Sequence, residues 1–216
     1  MFLEMLLGIG AGVAIIIAII TIVGYLVVMF TCGSILYSRI AMSLLVGLVA
    51  GSQTSIVDSG FLNFLIWAAI SAAIVFGLST LPRCNCAISF FCTLFITVIV
   101  VTLVAGGAFS LYGTIVKSGA TLEITKGYEI LIKALSTFFA IGAYTKQQEK
   151  GSVFNPSGVV FNTIDRVIAS LVIGFSFVFL YSPWNGHWET SVVVEWIIMI
   201  VATALAFVAD MFLNKE

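Results

Sequence analysis

The chain has 216 residues, of which 61% are apolar and 9% charged, with a formal net charge of −1. An ordinary soluble domain carries about a quarter charged residues, so these few charges cannot coat a water-facing surface, and lipid is the expected solvent. A nucleic-acid partner, which needs clustered Lys and Arg, is excluded; the mean hydropathy of +1.20 points to a multi-pass protein of a cell or inner membrane, with the bilayer as its first partner.

A spanning helix needs about 20 mostly apolar residues, because the hydrocarbon layer is about 30 Å thick and a helix rises about 1.5 Å per residue. Lipid offers no hydrogen bonds, so each run must close its own backbone bonds as a helix. Six runs qualify: 5–31, 35–52, 61–81, 87–112, 158–181 and 191–213. The first is preceded by "MFLE", without a positive n-region or a following cleavage site, and is expected to stay as an anchor. Within it Gly8 and Gly12 are four apart, a small-x-x-x-small pattern suited to close helix packing. The segments "GSQTSIVDSG", "LPRCNC", "TKQQEKGSVFNPSG" and "SPWNGHWET" carry the Gly, Pro, Ser and Asn that interrupt helices. "AGGAFSLYG" from Ala105 predicts a bend near the end of the fourth run.

A seventh run, "GYEILIKALSTFFAIGAYTK" from Gly127, is less apolar. Glu129 and Lys133 sit at the helical pairing distance, and Lys126, Glu129, Lys133 and Ser136/Thr137 share one face. That pattern suits either a helix inside a bundle or one lying flat at the interface. Short cytoplasmic loops collect Lys and Arg. Seven spans gather Arg39, Arg83, Lys146, Lys150, Arg166 and Lys215 on one side, against Lys117, Lys126 and Lys133. Six spans instead leave Arg39 and Arg83 opposite the rest.

An internal likeness favours seven. "RIAMSLLVGL" from Arg39 and "RVIASLVIGF" from Arg166 align Ser43 with Ser170, Leu44 with Leu171 and Gly47 with Gly174; Trp67 meets Trp196 after a two-residue shift. The reading is therefore an all-α polytopic transmembrane bundle of seven spans, N-terminus outside and C-terminus inside, with six spans plus an interfacial helix as the alternative. It forms one membrane domain, 1–216, with a parallel repeat of 1–82 and 127–216 joined by a linker helix at 87–112. Chance matching among apolar helices would produce similar pairs. Three helices, a linker and three more resembles the topology of the sugar-efflux (SWEET) transporters, whose proline-glutamine loop motif this chain lacks.

Motifs for chemistry are sparse. There is no dinucleotide or phosphate-loop signature. The single histidine, His187, sits between two tryptophans in "PWNGHWE", an aromatic-belt position. Cys84-x-Cys86, Cys32 and Cys92 do not repeat a zinc pattern, and small packed thiols are the plain reading. No metal, cofactor or catalysis is expected. Intramembrane charges carry more information, because each costs about 2.5–3.5 kcal/mol at a helix centre. The polar candidates are Glu195, Lys133, Glu129, Asp165, Arg166 and Arg39, with Glu195 the best placed for coupling and an interfacial or intersubunit ion pair as the bland alternative. The expectation is a small channel or secondary transporter for an ion or small solute. The alternative is a non-catalytic membrane subunit of a larger secretion, respiratory or defence complex. Either would form a homo-oligomer or hetero-complex.

Overall fold

The computed structural model describes residues 16, 19–20, 22–26, 35–116, 126–150, 158–181 and 192–213. All of its described regular structure is helical. A first helix, α1, is described at residues 16, 19–20 and 22–26; it is followed by α2 (Ile35–Gln53), α3 (Gly60–Leu78), α4 (Pro82–Val116), α5 (Lys126–Lys150), α6 (Val159–Tyr181) and α7 (Val192–Leu213). By length and composition, four stretches can cross a membrane: Gly60–Leu78, Pro82–Val104, Val159–Tyr181 and Val193–Phe212. Gly8, Gly12, Cys32 and His187 lie outside the described residues.

The expected break at "LPRCNC" is instead the first turn of α4. Proline is at home in the first helical position, where its missing N–H would have had no partner. The Asn85 amide closes the first turn on the Leu81 carbonyl at 2.8 Å. The "AGGAFSLYG" segment, expected to bend the fourth span, is helical throughout, and α4 continues to Val116.

Three antiparallel hairpins make the bundle. In α2–α3, Arg39 reaches Ser79 while Gly47 lies against Phe64 and Ala68, so the strands of contact run in opposite directions. Its turn is closed by the buried Asn63, whose Nδ2 donates to the Gly51 carbonyl at 2.7 Å and to the Thr54 carbonyl. Asn63 Oδ1 accepts from the Ile56 amide at 3.1 Å. One side chain thereby satisfies backbone groups that the end of a helix leaves without intrahelical partners. In α4–α5, Val101 packs with Ile132 and Leu94 with Ala140. In α6–α7, Arg166 meets Asp210 and Gly174 meets Met199 and Thr203.

The linker expected at 87–112 is the hub. Helix α4 touches α2, α3, α5 and α6, and Tyr25 of α1 packs with its Val101. Of its spanning residues 61% are buried, against none in α7. A ladder of rings zips α4 to α6: Phe91 with Phe175 at 5.7 Å, Phe95 with Phe179 at 5.1 Å and Phe90 with Phe177 at 6.4 Å. Each such pair contributes about 0.5–1.5 kcal/mol beyond area burial. Because Cys84 meets Asp165 and Phe95 meets Phe179, α4 and α6 run the same way. Helix α2 runs with them, since Arg39 lies by Asn85 and Met42 packs with Ile88, Cys92 and Ile96. The starts of α2, α4 and α6 and the ends of α3, α5 and α7 therefore meet at one end of the bundle.

Helix α5 lies along α4 for its length, with Tyr144 packed by the Phe90–Leu94–Ala140 cluster. Its fully buried positions Ile132, Ser136 and Ala140 recur every four residues, the spacing of one helix face.

Candidate functional site

The shared end of the bundle gathers most of the described charge. The first turn of α4 explains how. Its preceding residue, Leu81, has no side-chain acceptor, and Pro82 has no N–H. The next two amides, of Arg83 and Cys84, donate to Asp165 Oδ2 at 3.0 Å and Oδ1 at 2.9 Å. A carboxylate of α6 thus caps α4 from 82 residues away, where the positive pole of the helix favours an anion. Asp165 is 1% exposed, a burial tolerable because both its oxygens are bonded.

Beside it, one carboxylate of α7 serves two guanidinium groups. Arg166 Nε donates to Asp210 Oδ2 at 2.6 Å, and Arg83 Nε lies 3.1 Å from the same oxygen. The Arg83 Nε–H is out of line and finds no hydrogen-bond partner, although that atom is buried. Two of the three charges oppose their helix dipoles: Arg83 stands in the first turn of α4 and Asp210 in the last turn of α7, whereas Arg166 is about two turns into α6. Antiparallel packing resolves the conflict by setting the wrong-pole charges against each other.

Arg39, 1% exposed, occupies the corresponding place in α2. Its Nε donates to Ser79 Oγ at 2.6 Å, and its Nη2 donates to Asn85 Oδ1 and, at 3.5 Å, to Ser89 Oγ. The local frame around the two repeat arginines is the same. Ser43 Oγ donates to the Arg39 carbonyl and Ser170 Oγ to the Arg166 carbonyl, each at 2.8 Å. One turn further, a Cβ on Gly47 would sit 2.8 Å from Ala68 Cβ and 3.0 Å from Phe64 O; on Gly174 it would strike Thr203 Oγ1 and lie 3.0 Å from Met199 O. The tryptophan match is out of step with this packing: Trp67 directly precedes Ala68, whereas Trp196 is about two turns before Thr203.

A cleft of about 660 Å³ opens from the ionic cluster along α6 and α7. Its polar end is formed by Arg83, Arg166 and Asp210, with Tyr144 and Gln148 of α5. Ala169, Ser170, Ala206 and Ala209 line it as well, and Ile173, Phe177, Ile197, Val201 and Leu205 continue an apolar wall. A volume of this size suits a small ligand, and apolar walls with a few polar groups are the usual chemistry of such sites.

The sequence candidates therefore divide. Asp165, Arg166 and Arg39 meet at one end, and Arg166 lines the cleft. Lys133 and Glu195, both partly exposed, lie near the opposite ends of α5 and α7, and neither lines the cleft. Glu129 is in the first turn of α5 with Lys126. Arg83 and Asp210, which are not among the sequence candidates, are central, as are Asn85, Tyr144 and Gln148. Their signal was available in part, because a charge at the unfavourable pole of an apolar helix needs a partner. Cys84, Cys86 and Cys92 are buried and form no disulfide, and among the described residues no three of His, Cys, Asp and Glu are grouped as metal ligands. No protein-family model matches the chain, and neither does any curated protein or solved structure.

Proposed function

We propose that this chain is a seven-span membrane protein, N-terminus outside and C-terminus inside, that works as a small secondary transporter. The observation that carries the reading is the cleft between α4, α5, α6 and α7, bounded by an ionic cluster. Intramembrane charges are costly and mark solute pathways by default. The seven-span count is supported by α5 lying antiparallel along α4 and by Lys146 falling at the end that holds Arg39, Arg83 and Arg166. Reactive thiols would be few in a labelling experiment, since Cys84, Cys86 and Cys92 are buried. A Thr121→Cys variant should be modified from outside the cell; modification from inside only would overturn the seven-span count.

Transport itself is tested in proteoliposomes. Ala202 and Ala206 line the cleft from α7, and Ala202→Trp or Ala206→Trp should block it while leaving the helices intact by circular dichroism. Loss of solute uptake is expected, and uptake equal to that of the native protein would sink the assignment of the cleft. Glu195→Gln asks whether coupling uses the far end of α7, where loss of flux would add Glu195 to the pathway.

A second reading, a non-catalytic subunit of a larger membrane complex, is favoured by α7, whose spanning residues are all at least partly exposed. A discrete heteromeric species on purification in mild detergent, with no flux by the isolated chain, would select it.

A further inference from the structure

We infer that the α4–α7 cleft takes an anionic amphiphile, its headgroup between Arg83 and Arg166 and its chain along the wall of α6 and α7. The inference rests on the cleft assigned above and deepens it by naming the ligand class. Charge comes first. Two guanidinium groups face the cleft against one carboxylate, Asp210. Behind the cleft the buried carboxylate of Asp165 and the buried guanidinium of Arg39 offset each other, which leaves Arg83 and Arg166 against Asp210. The polar end retains a net positive charge.

Unused bonding capacity comes second. Arg83 Nε is buried without a hydrogen-bond partner. A guanidinium presents five donors in a planar fork that matches carboxylate and phosphate oxygens. That Nε is held 3.1 Å from Asp210, which is already engaged with Arg166 at 2.6 Å, while the Arg83 and Arg166 side chains each remain 20% exposed to an anion at the mouth. Tyr144 and Gln148 add neutral polar groups at the same end.

Shape comes third. Small side chains at Ala169, Ser170 and Ala209 surround the charged end and leave width for a headgroup, whereas Ile173, Phe177 and Ile197 line the remainder. From Arg166 to Phe177 the helix rises roughly 16 Å, the reach of a medium or long alkyl chain. A small hydrophilic anion would leave that apolar wall without a ligand contact, and an uncharged chain would leave the arginines unanswered. The ligand chemistry is common to fatty acids and to lipids with a phosphate monoester headgroup.

The test is equilibrium binding to the full chain in phosphatidylcholine nanodiscs, with dodecyl phosphate, dodecanoate, dodecylphosphocholine, dodecanol and inorganic phosphate as probes. Discs carrying Ile173→Trp, in which the wall is filled, report partitioning into the lipid. The two anionic amphiphiles should bind at least about tenfold more tightly than dodecanol, dodecylphosphocholine or inorganic phosphate, the scale of a charge-assisted pair. Arg166→Gln should remove that preference and leave dodecanol unchanged. Should that variant fail to fold, Arg83→Gln, which leaves the Arg166–Asp210 pair in place, makes the same comparison. Equal affinity for charged and uncharged chains, or equally tight inorganic phosphate, overturns the inference. Dodecanoate and dodecyl phosphate compared with each other separate a carboxylate source from a phosphate one. Binding without flux would retain the ligand class and discard transport; flux of another solute without this binding would do the reverse.

Discussion

The hairpins α2–α3 and α6–α7 start from the same frame and end differently. Each carries an arginine one to two turns into its first helix, returns a serine hydroxyl to that arginine's carbonyl at 2.8 Å, and uses a glycine one turn later to bring the partner helix close. Each arginine also donates Nε at 2.6 Å to a residue at or near the end of the following helix. In the first hairpin that residue is Ser79, and the neutral oxygens of Asn85 and Ser89 join it. In the second it is the Asp210 carboxylate, shared with Arg83 beside a cleft. Alike segments thus yield a sealed polar contact in one place and a candidate binding site in the other. The difference lies in what the neighbouring helices offer.

The comparison can be broken most forcefully at the acceptor. Asp210→Leu leaves two guanidinium groups without their shared carboxylate and should cost roughly 3 kcal/mol, read as equilibrium unfolding in mixed micelles. Ser79→Ala, at the matching place, should cost about 1 kcal/mol. Equal losses would mean that the two ends are built alike after all.

The glycines come next. Gly47→Ala and Gly174→Ala force a Cβ into the opposing helix and should each cost about 1–3 kcal/mol by overpacking. Gly142, with nothing within 4 Å of an added Cβ, is the control, and Gly142→Ala should gain about 0.5–1 kcal/mol from helix propensity. A neutral Gly174→Ala beside a costly Gly47→Ala would end the structural likeness of the hairpins.

A smaller contrast sharpens the role of the arginines. Lysine cannot reproduce a fork of donors aimed at several oxygens, so Arg39→Lys should cost about 1–2 kcal/mol. Arg166→Lys, which keeps a charge opposite a partly exposed carboxylate, should cost less than about 1 kcal/mol. The smallest effect belongs to the serines. Ser43→Ala and Ser170→Ala should each lose about 0.6 kcal/mol, and clearly unequal values would show that the frame is not shared energetically.

Some of this was legible before any coordinates. Long apolar runs declare helices in lipid because the backbone has no other way to close its bonds, and α3, α6 and α7 fall close to the runs read from sequence. The Arg-x₃-Ser-x₃-Gly spacing was visible at both Arg39 and Arg166. The α4 boundary was missed because "LPRCNC" reads as punctuation. Its helical state depends on Asp165, 82 residues away, supplying the cap that Leu81 cannot. The likeness of Trp67 and Trp196 misled, because letters that match on apolar helices need not pack alike.

The sequence by itself determined the helical class and the long apolar runs that suit four of the helices to a membrane. These follow from composition and from hydrogen bonding within one segment, both local properties. Tertiary structure alone decided that the helix between the two likenesses is the hub, that Asp210 serves Arg83 and Arg166 together, and that small side chains on α6 and α7 leave a cleft there. Those outcomes depend on which helix faces meet and how closely they approach, and that is fixed only when steric fit and charge pairing are satisfied together by residues far apart in the chain.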